Sequence, residues 1–154
     1  MIGYSLDEQQ NWSLNPQGIR QKIKAAKDMG ITVRGLVVIN PGNPTGNVLK
    51  RHDIEEVIKV CFENQILILA DEVYQENIYK PDTAPFVSFR KVLAEMGDPY
   101  RNTVELVSLH SVSKGLQGEC GLRGGYMETH NLEKFANEMI FKLKSIYLCS
   151  STTG

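Results

Sequence analysis

Ile66-Leu67-Ile68-Leu69-Ala70-Asp71-Glu72-Val73-Tyr74 is the stretch that decides the fold. Its first five residues are apolar at every position and then give way to two acids. A strand with one wet face alternates polar and apolar residues. A run that never alternates predicts a strand covered on both faces, as in a parallel sheet. Upstream, Gly35-Leu36-Val37-Val38-Ile39 is a second aliphatic run with β-branched residues and predicts another buried strand. Between the two, Ile54, Val57, Ile58, Cys61 and Phe62 form an apolar stripe at helical spacing, which predicts a helix over Arg51 to Asn64. Further upstream, Asn15 can cap a helix with Pro16 at its first position, Ile19, Ile23 and Ala26 on its inner face, and Gly30 as its stop after Met29. The opening residues read as a strand. Downstream the pattern predicts a helix over Ser88 to Glu95, a strand over Val104 to Leu109, a shorter strand over Gly124 to Glu128, and a last helix from Leu132 to Tyr147. This alternation predicts an α/β fold: a mainly parallel sheet flanked by helices.

The bulk composition narrows the function classes. The chain has 154 residues, 42% hydrophobic and 23% charged, with a formal net charge of −1 and acids and bases intermixed. Nothing in that balance steers it toward nucleic acid or anionic lipid. Cys61, Cys120 and Cys149 are odd in number and widely spaced, which fits neither a disulfide framework nor a structural zinc site. Reduced thiols and no metal site are expected. The start lacks a basic segment followed by an apolar run, and the longest apolar stretch, Ile66 to Ala70, is too short to span a bilayer. A soluble protein of the cytosol or the mitochondrial matrix is expected. The chain reads as one domain and an incomplete one, because it ends in a loop-like stretch, Ser150 to Gly154.

Three predicted strands end in chemistry. After Ile39 comes Asn40-Pro41-Gly42-Asn43-Pro44-Thr45-Gly46; after Ala70, Asp71-Glu72-Val73-Tyr74; after Leu109, His110-Ser111-Val112-Ser113-Lys114-Gly115. Open parallel sheets bind ligands outside the carboxyl ends of their strands. The first motif is a rigid turn by its prolines and glycines, and Asn43 in it offers two donors and an acceptor. Asp71, emerging from an apolar sheet, favours a cationic partner, and Tyr74 lies close enough to address the same group. Lys114 sits at the mouth of a buried strand, where burial favours the neutral, nucleophilic amine. Ser111 and Ser113 can donate to an anion, and Arg123, before Gly124 and Gly125, suits bidentate phosphate contact. His110 reads as a structural histidine with its hydrogen bonds satisfied.

Together these motifs resemble the fold-type I aminotransferases, most closely the alanine aminotransferases. The residues carrying the likeness are Asn40 to Gly46, Ala70 to Gln75, His110 to Gly115 and Gly118 to Tyr126, the last pointing to the alanine branch. The resemblance implies pyridoxal 5'-phosphate as cofactor and amino-group transfer between L-alanine and 2-oxoglutarate, giving pyruvate and glutamate. By motif, Lys114 resembles the lysine that forms a Schiff base with the cofactor and then serves as general base and acid. Asp71 resembles the partner of the ring nitrogen, Asn43 and Tyr74 the pair at the phenolic oxygen, and Ser111, Ser113 and Arg123 the phosphate anchors. The resemblance further implies a homodimer when full length. It makes residues 1–154 part of the large cofactor domain, with an N-terminal segment and a smaller C-terminal domain bearing the substrate-carboxylate arginine lying outside them. Two alternatives stand beside this reading. One is an inactive or partner-dependent fragment of such an enzyme. The other is a Ser/Lys hydrolase built on Ser111-x-x-Lys114, for which the usual Ser-Asp-Asn and Lys-Thr-Gly partner motifs do not occur in the chain.

Overall fold

The structure is a computed structural model that describes residues 1–116 and 118–146. Four strands form one sheet in the order β1-β2-β3-β4. They are β1 (Gly35–Ile39), β2 (Leu67–Asp71), β3 (Leu106–Ser111) and β4 (Gly125–His130). The β1/β2 and β2/β3 pairs are parallel and β3/β4 is antiparallel, so the sheet is mainly parallel, as the sequence predicts. The helices are α1 (Pro16–Asp28), α2 (Arg51–Asn64), α3 (Phe89–Met96), a single turn α4 (Tyr100–Thr103), and α5 (Lys134–Ile146). No helix among the described residues is long and apolar enough to cross a membrane.

Local chemistry explains the helix limits. The Asn15 side chain accepts the Gly18 N–H at 2.9 Å, Pro16 follows as the first helical residue, and Gly30 leaves α1 with φ +75°. Asp53 accepts the Lys50 N–H at 3.1 Å at the start of α2, and Gln65 ends it in the left-handed region. Ser88 caps α3 through the Lys91 N–H at 3.1 Å. The predicted strand at the opening residues is not there. Residues 1–6 are irregular, and a single bridge pairs Asp7 with Ser13 around a short 3-10 turn. The predicted end of the last helix, Tyr147, and Cys149 lie outside the described residues.

Register assigns the faces. Leu36, Val38, Ile68, Ala70 and Leu106 share one face, and α1, α2 and α3 pack against it in a continuous core with Ile19, Ile54, Val57, Ile58, Phe89 and Leu93. The opposite face is covered only in part. Val107 there is 4% exposed, but Val37 is 52% and Ile39 40% exposed. This corrects the expectation that both faces of β2 are buried. The physical reason is topological. Strands laid side by side in one direction by right-handed crossovers put every connecting helix on the same face.

Candidate functional site

The loop leaving β1 is built to hold one side chain still. Asn40 is fully buried; its Oδ1 accepts the Leu49 N–H at 2.9 Å and its own N–H donates to the Asp71 carbonyl at 3.0 Å. Gly42 and Asn47 pair through the main chain at 2.9 Å, the Thr45 hydroxyl bonds Asn47 Oδ1, and Asn47 Nδ2 donates to the Trp12 carbonyl at 3.0 Å. A Cβ at Gly42 would lie 2.1 Å from Asn47 Oδ1, so a side chain there would push the Asn47 amide out of these bonds. This scaffold presents Asn43, whose Nδ2 donates to the Tyr74 hydroxyl oxygen at 3.2 Å.

Asp71 closes β2 beside Ile39 of β1 and Leu109 of β3. It lies on the sheet face that the helices leave open, half-buried, with Oδ1 accepting the Val73 N–H at 3.4 Å. Among the described residues it has no salt-bridge partner. Glu72 points the other way. It is 5% exposed, its Oε1 accepts the Phe89 N–H at 2.8 Å, and burial pushes its carboxyl up to about 7, with the charge of Glu128 adding to the rise.

The third group is assembled by the β3/β4 ladder, which sets Ser111 opposite Gly125 and so joins the motif around Lys114 to the motif around Arg123. A Cβ at Gly125 would meet the His110 carbonyl at 2.6 Å, so glycine is what lets the strands close here. Ser111 Oγ accepts the Ser113 N–H at 3.1 Å. Arg123 is exposed, in the left-handed region at φ 52°, with Nη1 donating to the Cys120 carbonyl at 3.1 Å. Lys114 is exposed three residues past the end of β3. The burial expected to favour its neutral form is therefore not supplied by the described residues. His110 is corrected too. Its ring lies against Tyr126 at 5.2 Å, but its buried Nδ1 has no hydrogen-bond partner among the described residues.

The sequence-predicted residues thus fall into two groups. Asn43 and Tyr74 touch, with Asp71 at the root of the same turn; Ser111, Ser113, Lys114 and Arg123 cluster around the β3/β4 junction. Asp71 of the first group and Ser111 of the second lie on the same sheet face, with Leu109 in register beside Asp71. A cavity of about 460 Å³ beside the β1 loop is lined by Asn43, Gly42, Trp12 and Ile39 but not by Lys114, Asp71 or Tyr74. Sequence reasoning overlooked Asn40 and Glu72. The signal was available for Glu72: adjacent acids at a strand end must face opposite sides of the sheet.

Residues 1–152 match the model of the family described as aminotransferase class I and II. The chain belongs to that family. Its aminotransferase relatives include glutamate–glyoxylate aminotransferase 1 of Arabidopsis thaliana, 51% identical over the whole chain and 32% of the relative. A probable mitochondrial alanine aminotransferase of Dictyostelium discoideum is 48% identical over 99% of the chain and 28% of the relative. An aminotransferase from Escherichia coli superposes with a TM-score of 0.76 at 28% identity, over 97% of this chain and 33% of that one. The chain therefore spans about three tenths of the length of the curated aminotransferases it matches.

Proposed function

We propose that residues 1–154 form part of the pyridoxal 5'-phosphate-binding large domain of a transaminase that moves an amino group between L-alanine and 2-oxoglutarate. The products are pyruvate and glutamate. The observation that carries this reading is the Asn43–Tyr74 hydrogen bond, 3.2 Å long, which joins two strand ends beside an aspartate with no cationic partner among the described residues.

The residues present suit the cofactor. A half-buried carboxylate at a strand end favours a positive partner, and a protonated ring nitrogen is one. The close packing of Gly125 on the His110 carbonyl brings the segment that carries Arg123 beside Ser111. When bound, pyridoxal phosphate supplies an electron sink for bond breaking at the substrate's α-carbon. Asp71 would hold the proton on the ring nitrogen. The Asn43 amide and the Tyr74 hydroxyl would donate to the phenolic oxygen. The hydroxyls of Ser111 and Ser113 and the Arg123 guanidinium would hold the phosphate. Lys114 would be the residue joined to the cofactor, and its Nζ, once free, would take the proton from the substrate's α-carbon and return it as general base and then acid. The whole protein would be a homodimer of the cytosol or mitochondrial matrix.

The test is to incubate the chain with pyridoxal phosphate, reduce with borohydride and map the adduct. Modification at Lys114 is expected; a stable adduct at another lysine, or at none, overturns the site. The substrate pair is read by alanine-dependent pyruvate formation. A second pair, glutamate with glyoxylate, is favoured by the name of the 51% identical relative. A partner-dependent or inactive chain is favoured by the exposure of Lys114 and Arg123. Turnover by the 154-residue protein alone defeats that alternative.

A further inference from the structure

Glu72 has no role in the chemistry above, yet it is a buried ionisable side chain two residues from Tyr74. Its contacts explain why the sheet tolerates it. The Glu72 N–H donates to the Leu109 carbonyl at 3.1 Å, which extends the β2/β3 ladder one step beyond β2. Its carbonyl accepts the Gln75 N–H at 3.1 Å, which closes the turn that carries Tyr74. Its side chain accepts the N–H of Phe89, the fully buried first residue of α3, at 2.8 Å. Residues 73–88 between these two anchors contain no helix or strand. One residue thus ties both ends of that excursion, and the excursion begins with Tyr74. The only side-chain bond given to the Tyr74 hydroxyl among the described residues is the one to Asn43.

We propose that Glu72 is a positioning residue: by bolting the start of the Tyr74 turn to the first residue of α3, it sets where the Tyr74 hydroxyl meets Asn43. The inference rests on the reading that Tyr74 and Asn43 hold the cofactor's phenolic oxygen. The bond needs an acceptor and not a charge, because the donor is a neutral main-chain N–H. The other charge shown to bear on Glu72 is Glu128 on β4, which opposes its ionisation and is itself engaged by Arg90 of α3 at 3.2 Å. Neither would hold Phe89 in its place.

The experiment is a double-mutant cycle on pyridoxal phosphate binding by the 154-residue chain, with Glu72→Leu, Glu72→Gln, Tyr74→Phe and the two double variants. Leucine fills the site without an acceptor; glutamine keeps the acceptor without a charge. Glu72→Leu is expected to weaken binding about tenfold, a coupling of about 1.4 kcal/mol, and Glu72→Gln less than about twofold on the same scale. In the Tyr74→Phe background the Glu72→Leu effect should vanish, because the group it positions is gone. A loss of equal size in both backgrounds, or no loss with leucine, overturns the inference. Amide exchange in the unsubstituted chain tests the same claim without any variant. The Phe89 amide and those of residues 73–75 are expected to open as one unit. Unrelated opening rates overturn the inference even if Glu72→Leu fails to fold or the chain binds no cofactor. Absence of binding by the unsubstituted chain, in contrast, would count against the functional reading alone.

Discussion

The two faces of the sheet carry different work. On one, Leu36, Val38, Ile68 and Leu106 meet three helices, and Phe89, Val92, Leu93, Ile54 and Val57 are sealed from water. On the other, Val37 and Ile39 stay exposed and Asp71 sits half-buried with no cationic partner among the described residues. The first face is where apolar area leaves water, so it is where stability is concentrated. The second is where polar groups at strand ends keep unused bonding capacity, so it is where a ligand can gain most. At the end of β2 the division passes between adjacent residues: Asp71 faces the open side, and Glu72, one residue beyond the strand, is turned into the core.

That division can be broken or sharpened by substitution. The largest effect is expected on the helix-covered face. Phe89→Ala removes a fully buried ring and should lower the unfolding free energy by about 3–5 kcal/mol, read from urea midpoints. A loss below about 1 kcal/mol would mean the face is not the stability centre.

Glu72 comes next. Its carboxyl is raised from an ordinary 4.5 to about 7, so the folded state favours the protonated form. The resulting stability is fully present below about pH 4.5 and is lost as pH rises through about 7. The shift is on the order of 3 kcal/mol between those limits. In Glu72→Gln this part of the slope should disappear, leaving the variant more stable than the parent at pH 8. An unchanged slope in thermal melts across pH 4 to 8 would refute the assignment.

On the open face the effects should be small. Val37→Thr, at a residue 52% exposed, should change stability by less than about 1 kcal/mol. Smallest of all, Lys114→Ala should leave stability within about 0.5 kcal/mol, because the side chain is exposed, while abolishing the borohydride-fixed adduct. Those two readouts diverging in one variant would be the sharpest sign that stability and chemistry are housed apart.

Much of the fold was legible in the residues. Strand β1 and helices α1 and α2 fall where apolar runs, the Asn15 cap with Pro16, and the Arg51–Asn64 stripe predict them. The strands β3 and β4 start later than predicted and extend past the predicted ends, because ladder pairing and not apolar content sets their limits. The opening residues failed as a strand because, among the described residues, the one bridge near them is Asp7–Ser13.

Sequence alone determined which residue types stand at each strand end, since turn chemistry and apolar runs are local properties. It also determined the family, through motifs whose order and spacing survive without coordinates. Tertiary structure decided which face each residue serves. An unbroken apolar run cannot reveal that right-handed crossovers will stack α2 and α3 on one side, nor that Phe89, seventeen residues away along the chain, will supply the donor for Glu72. Those outcomes depend on how separate elements meet in space, and no single segment encodes that.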